Sequence, residues 1–109
     1  MSYEIAPSVL AAKLHAKEPL LLIDCREDWE HAAARLEPSL LIPMNTIPAN
    51  LNRLERLADT QMLVVYCHHG VRSLNAVAWL RRQGIENVFS LKGGIDQWSL
   101  EIDPTIPRY

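Results

Sequence analysis

The chain lacks an imbalance of charge. Eleven lysines and arginines stand against thirteen aspartates and glutamates, for a formal net charge of −2. Nothing in that balance argues for nucleic acid or an anionic membrane as a partner. The chain also lacks any apolar run near the ~20 residues that a membrane-crossing helix needs. The opening MSYEIAPSVL has neither the basic n-region nor the long apolar stretch of a secretory signal, so the expected setting is the cytosol. Cysteine is scarce: Cys25 and Cys67 are the two, and in a reducing compartment they read as thiols rather than as a disulfide. There is no internal repeat, no low-complexity segment and no linker. Residues 1–109 are therefore expected to form one domain, long enough to bury a core without staples. No cofactor is called for.

What is present is an alternation. PLLLIDC (Pro19–Cys25) and MLVVYC (Met62–Cys67) are apolar without a polar alternate, the pattern of strands covered on both faces. NVFSL (Asn87–Leu91) is a third strand, SLLIP (Ser39–Pro43) a weaker fourth and YEI (Tyr3–Ile5) an edge fifth. Helical patterns lie between them. APSVLAAKLHAK offers Ser8 as N-cap and sets Val9, Leu10 and Leu14 along one face. REDWEHAAA opens with acids suited to a helix N-terminus. PANLNRLERLA spaces Leu51, Leu54 and Leu57 for one side. SLNAVAWLRRQG places Ser73 near a helix start, packs Leu74, Val77, Ala78 and Leu80, and closes on Arg81, Arg82 and Gly84. GGIDQW (Gly93–Trp98) is a glycine turn into a last short helix. Strand and helix alternate, so the class is α/β with a mostly parallel sheet and helices on both faces.

Within that frame Cys67 stands at the carboxyl end of a buried strand, the edge where parallel sheets bind ligands. Residues Cys67 to Arg72 form a short loop into a helix N-terminus, and Gly70 permits a turn that a side chain would obstruct. Inward N–H groups backed by a helix start hold an anion. A thiol there is kept as its thiolate. His68, His69 and Arg72 add donors at the rim, and Val71 and Ser73 complete the candidate binding loop. The chemistry this points to is a sulfur anion attacking an electrophile. Cys67, His68 and His69 are adjacent rather than spaced and have no second ligand pair, so the loop is not read as a metal site. Nor does a histidine beside the cysteine on so tight a loop turn back to form a protease pair.

These segments resemble the single-domain rhodaneses, the thiosulfate-type sulfurtransferases. LLLIDCRE is similar to their Asp-x-Arg-Glu strand exit, carried by Asp24, Arg26 and Glu27. VVYCHHGVRS is similar to their active-site loop, and GIENVFSLKGGIDQW to their closing strand, glycine turn and last helix. The resemblance implies a five-stranded parallel sheet in the order 3-2-4-5-1. It implies a persulfide on Cys67, loaded by a small-molecule sulfur donor and unloaded to cyanide or a thiol, a protein acceptor included. One part departs from the pattern: where the family often carries Gly-His-Ile-Pro-Gly-Ala, this chain reads HAAARLEPSLLIPMN, without the glycines.

A tyrosine phosphatase of the same fold is the competing enzyme. Its loop has five residues between Cys and Arg. Here there are four, His68, His69, Gly70 and Val71, a ring sized for one sulfur atom rather than a phosphoryl group. A non-catalytic or regulatory binding module of the same fold would have no need of the thiol. Asp24 and Arg26 are expected to brace the loop from behind. Cys25, at the exit of the neighbouring strand, is expected to fill the place of a valine, with a redox or sulfur-relay part as the alternative. Trp29, Trp79 and Trp98 are expected to pack in the core or at its rim. The tail DPTIPRY (Asp103–Tyr109) is expected to run extended over the surface.

Overall fold

The computed structural model describes residues 2–109. The elements follow in the order β1 (Glu4–Ile5), α1 (Pro7–His15), β2 (Leu20–Asp24), α2 (Asp28–Ala33), β3 (Leu40–Leu41), α3 (Leu51–Ala58), β4 (Met62–Tyr66), α4 (Val71–Arg82), β5 (Val88–Leu91) and α5 (Gly94–Glu101). Two short 3-10 turns, Met44–Thr46 and Pro48–Asn50, lead into α3. All the strand pairings are parallel and the order is β1-β5-β4-β2-β3. This is the order the resemblance implies, read from the other edge.

The unbroken apolar runs have their expected cause. Alternate residues of a strand face opposite sides, and both sides of this sheet are covered. Leu63 and Val65 of β4 join Ile23, Leu54, Val77 and Leu80 in one core, beneath α3 and α4. Val64 and Tyr66 join Leu10, Leu22, Leu91, Ile95 and Trp98 in the other, beneath α1 and α5. Each fully buried aliphatic side chain contributes about 1.5–3 kcal/mol relative to exposure, so β4, buried at Leu63 through Tyr66, is the spine of the domain.

Three local readings are corrected. Ser8 does not cap α1: the N-cap is Ala6, and Pro7 takes the first helical position, where its missing N–H costs nothing. Leu10 carries the packed face of α1 alone among the three residues proposed for it, since Val9 and Leu14 are exposed. α4 begins two residues before Ser73, and it is Ala76 rather than Ala78 that is buried with Val77 and Leu80. Its end follows the sequence signal: Gly84 has φ +98°, and Ile85 N–H donates to the Leu80 carbonyl.

Where the family's glycines are missing, another residue holds the approach to β3. The Tyr66 hydroxyl accepts the Leu36 N–H at 3.2 Å and lies 2.9 Å from Ser39 Oγ. A buried phenol thus fixes a segment that has no glycine.

Candidate active site

The site is built by β2 and β4, which end side by side, and by the start of α4. Asp24 and Tyr66 are partners in register, so Cys25 and Cys67 are the next pair beyond the sheet, joined by Cys25 N–H donating to the Tyr66 carbonyl at 3.1 Å. Past Cys67 the chain turns at Gly70, φ +94°, and enters α4 at Val71. The turn folds two N–H groups back onto the sulfur: Gly70 donates at 3.1 Å and Ser73 at 3.3 Å. Ser73 Oγ lies 3.4 Å from the same sulfur and 2.7 Å from Ser90 Oγ. With the sulfur ionised, Ser90 donates to Ser73 and Ser73 to the thiolate, a relay from β5 through α4 to the sulfur.

These donors explain the thiol's acidity. The neighbouring Cys25 thiol acts most strongly, and against the opposing effect of burial the Ser73 hydroxyl and the Ser73 and Gly70 N–H groups help to bring Cys67 down to about 5. Cys25 moves the opposite way, pushed up by its hydrogen bond to Cys67, by burial and by the neighbouring negative charge. Its sulfur also lies 3.4 Å from the Tyr66 carbonyl. One S–H proton serves one acceptor at a time, and an ionised sulfur is the stronger acceptor. Of the pair, Cys67 is the thiolate because it alone receives backbone donors. Because the folded value is lowered, the anion is present above about pH 5 and is lost as pH falls through it. Iodoacetamide alkylation of Cys67 should accordingly rise with a midpoint near pH 5 and plateau by neutrality. Cys25→Ser should move that midpoint upward. A midpoint near the free-thiol value of about 8.5 would contradict the donor set.

The loop is held from outside by a second close approach. Ile95 N–H donates to the Cys67 carbonyl at 2.9 Å and Asp96 N–H to the His68 carbonyl at 3.1 Å. Those two N–H groups belong to the first turn of α5, whose free donors are satisfied by the loop. Gly94, φ +65°, lies against both carbonyls, and a Cβ on it would fall 2.5 Å from the Cys67 oxygen. The double glycine therefore lets α5 dock against the loop.

The other loop residues are dispersed. Val71 is exposed. Arg72 turns to α2 and makes a two-pronged pair with Glu30, at 2.7 and 2.9 Å. Its charge is thus matched rather than displayed at the rim. His68 stacks between His69, at 4.0 Å between ring centroids, and Tyr109, at 4.1 Å. Burial and the adjacent His69 both push the His68 imidazole toward its neutral form. His68, His69 and Asp96 are grouped closely enough to share an ion. Asp96, however, already receives both Nε and Nη2 of Arg108, at 2.8 and 3.2 Å.

Asp24 and Arg26 do not touch the Cys67 loop directly. Both are fully buried and form a two-pronged pair, with Nε to Oδ1 and Nη2 to Oδ2 each 2.8 Å; the Asp24 carboxylate also meets His31 Nδ1 at 2.7 Å. Arg26 donates further to the Ala34 carbonyl and to the Tyr109 hydroxyl. Tyr109 in turn donates to Glu30 at 2.7 Å. The hydrogen bonds run Asp24–Arg26–Tyr109–Glu30–Arg72, so two residues, Tyr109 and Glu30, stand between Arg26 and the loop. The tail therefore does not simply run extended over the surface. It turns back, with Ser99 Oγ donating to the Ile106 carbonyl, and ends on the site. Trp29 is an exposed rim residue set edge-on to Tyr109 at 5.8 Å.

Sequence reasoning missed Glu30, Ser90, Asp96 and Tyr109. Glu30 carries a local signal, since it stands three residues after Glu27 and the two form a capping box at the start of α2. Its pairing with an arginine 42 positions away carries none.

The fold is α/β, and its site is a cysteine at a strand exit, wrapped by a glycine turn and backed by a helix start. Residues 6–101 match the Rhodanese-like domain family, and the chain belongs to it. It is 35% identical to a sulfurtransferase of Allochromatium vinosum over 91% of this chain and 90% of that one. The fold is similar to that of a rhodanese-like domain protein of Staphylococcus aureus, with a TM-score of 0.80, 31% identity and coverage of 100% and 99% of the two chains. It is also similar to a rhodanese-related protein of Thermoplasma volcanium, with a TM-score of 0.80, 28% identity and 97% and 98% coverage. Among the described residues no helix is long and apolar enough to cross a membrane.

Proposed function

We propose that the domain is a sulfurtransferase that moves a sulfane sulfur through a persulfide on Cys67. The observation that carries this reading is the sulfur's donor set, with two backbone N–H groups and a serine hydroxyl converging on one atom. With thiosulfate as donor, the Cys67 thiolate attacks the outer sulfur, the sulfur–sulfur bond of the donor breaks and sulfite leaves with the electron pair. The persulfide anion that remains is stabilised by the same N–H groups. Cyanide or a thiolate then attacks the terminal sulfur and Cys67 departs as thiolate, a good leaving group because its donors have lowered its basicity. The acceptor is a small thiol, cyanide or a cysteine of another protein, and the chemistry requires no cofactor.

The phosphatase reading lacks the same support. A phosphoryl group on sulfur needs donors for three non-bridging oxygens at once, and the arginine that would clamp them is held by Glu30. The purified protein should form thiocyanate from thiosulfate and cyanide and should leave an aryl phosphate unhydrolysed. Cys67-dependent phosphate release faster than thiocyanate formation would overturn the choice.

A further inference from the structure

The transfer cycle uses Cys25 only as a neighbour that favours the Cys67 thiolate, and no step of it forms or breaks a bond at the Cys25 sulfur. Cys25 is 2% exposed and Cys67 1%, and both belong to the core beneath α3 and α4. Each follows directly on the last registered pair of β2 and β4, Asp24 and Tyr66, and Cys25 N–H still bonds the Tyr66 carbonyl. Neighbouring strands lie about 4.8 Å apart, inside the Cα–Cα window of roughly 4.4–6.8 Å that a disulfide accepts. The Cys25 thiol is also the leading cause of the lowered pKa of Cys67. A residue that only filled space here would need no S–H, and valine would serve.

We propose that Cys25 is a second reacting residue, which resolves the Cys67 persulfide by expelling its outer sulfur as hydrosulfide and closing a Cys25–Cys67 disulfide. This rests on the persulfide reading above. The geometry suits a displacement at sulfur, in which attacking and leaving groups take opposite sides. Gly70 and Ser73 approach the Cys67 sulfur from the loop, whereas Cys25 approaches from the neighbouring strand. Cys25 gives its proton to water, and the terminal sulfur of the persulfide anion takes one from water. The Cys25 thiolate so formed attacks Cys67 Sγ, the bond from Sγ to the outer sulfur breaks, and HS⁻ leaves. The outer sulfur is reduced to sulfide and the two cysteines are oxidised to one disulfide, so atoms and electrons balance. A dithiol reductant from solution returns both cysteines to thiols by ordinary exchange. In the presence of an acceptor the persulfide is unloaded by transfer. In its absence the domain discharges itself and becomes a persulfide reductase.

The test is anaerobic incubation of the full chain with thiosulfate and no cyanide, followed over time by intact mass, sulfide assay and peptide mapping. The parent should first gain one sulfur atom. It should then lose that sulfur together with two hydrogens, release one sulfide per chain and yield a Cys25–Cys67 linked peptide pair that dithiothreitol dissolves. Cys25→Ser and Cys25→Val should stop at the one-sulfur adduct. The valine variant keeps the apolar filling, and the linked peptides of the parent decide the matter without either variant. A parent that retains the adduct as long as the variants do, with no sulfide released, overturns this inference and leaves the transfer reading intact. Failure of every chain to gain sulfur overturns both.

Discussion

Cys67→Ser should reduce thiocyanate formation from thiosulfate and cyanide by on the order of 10³-fold or more, with the fold retained by circular dichroism. Serine fits the same space, so Gly70 and Ser73 keep their positions. Its hydroxyl is not ionised near neutrality and has no counterpart of the persulfide. The donors that now stabilise a sulfur anion would face a neutral oxygen, and nothing else in the loop replaces the nucleophile. His68 and His69 are stacked against each other, and Arg72 is paired with Glu30. Activity near that of the parent would remove Cys67 from the chemistry.

Gly94→Ala should be the most damaging single methyl group in the domain. A Cβ at this position falls on the Cys67 and His68 carbonyls, which are backbone atoms and have no rotamer to escape into. The residue also has φ +65°, a conformation that costs alanine about 1–2 kcal/mol. With the added cost of overpacking, roughly 1–3 kcal/mol, the variant should be destabilised by about 3 kcal/mol. The Ile95 and Asp96 N–H bonds to the loop must lengthen or break. Two readouts separate the parts of this expectation. Thermal unfolding should fall sharply, and in the fraction still folded the alkylation midpoint of Cys67 should rise as the loop loses its support. Parent-like values in both would mean that α5 does not hold the loop. Gly84→Ala is the control. Its φ of +98° is also strained, but open space surrounds the Cβ, so it should lower stability without moving the Cys67 midpoint.

The strands were legible because burial on both faces removes polar alternation, and Leu20–Asp24 and Met62–Tyr66 show that pattern plainly. The loop was legible because Cys67, Gly70 and the start of α4 are contiguous, so local geometry decides where the sulfur goes. Helix faces were less so. α1 is short and alanine-rich, and tertiary contact rather than spacing chose Leu10 over Val9 and Leu14. The least legible part was whatever joins distant segments. Tyr109 meets Arg26 and Glu30 across 83 and 79 positions, and Ser90 reaches Ser73 across 17. Such pairs depend on where the tail returns and on which strands neighbour one another. The influence of Cys25 on Cys67 lies between these cases. It follows from the strand order once that order is known, whereas residue spacing by itself points only to the loop and the helix start as the source of Cys67's acidity.

The central claim is that Cys67 carries the sulfur, and the most direct measurement is the intact mass of the parent protein within the first turnover after mixing with thiosulfate. A gain of one sulfur atom, mapped to the Cys67 peptide and removed by a pulse of cyanide with one thiocyanate formed per chain, is the expected result. A protein of unchanged mass that nevertheless produces thiocyanate, or a sulfur found on Cys25 with Cys67 unmodified, would contradict it.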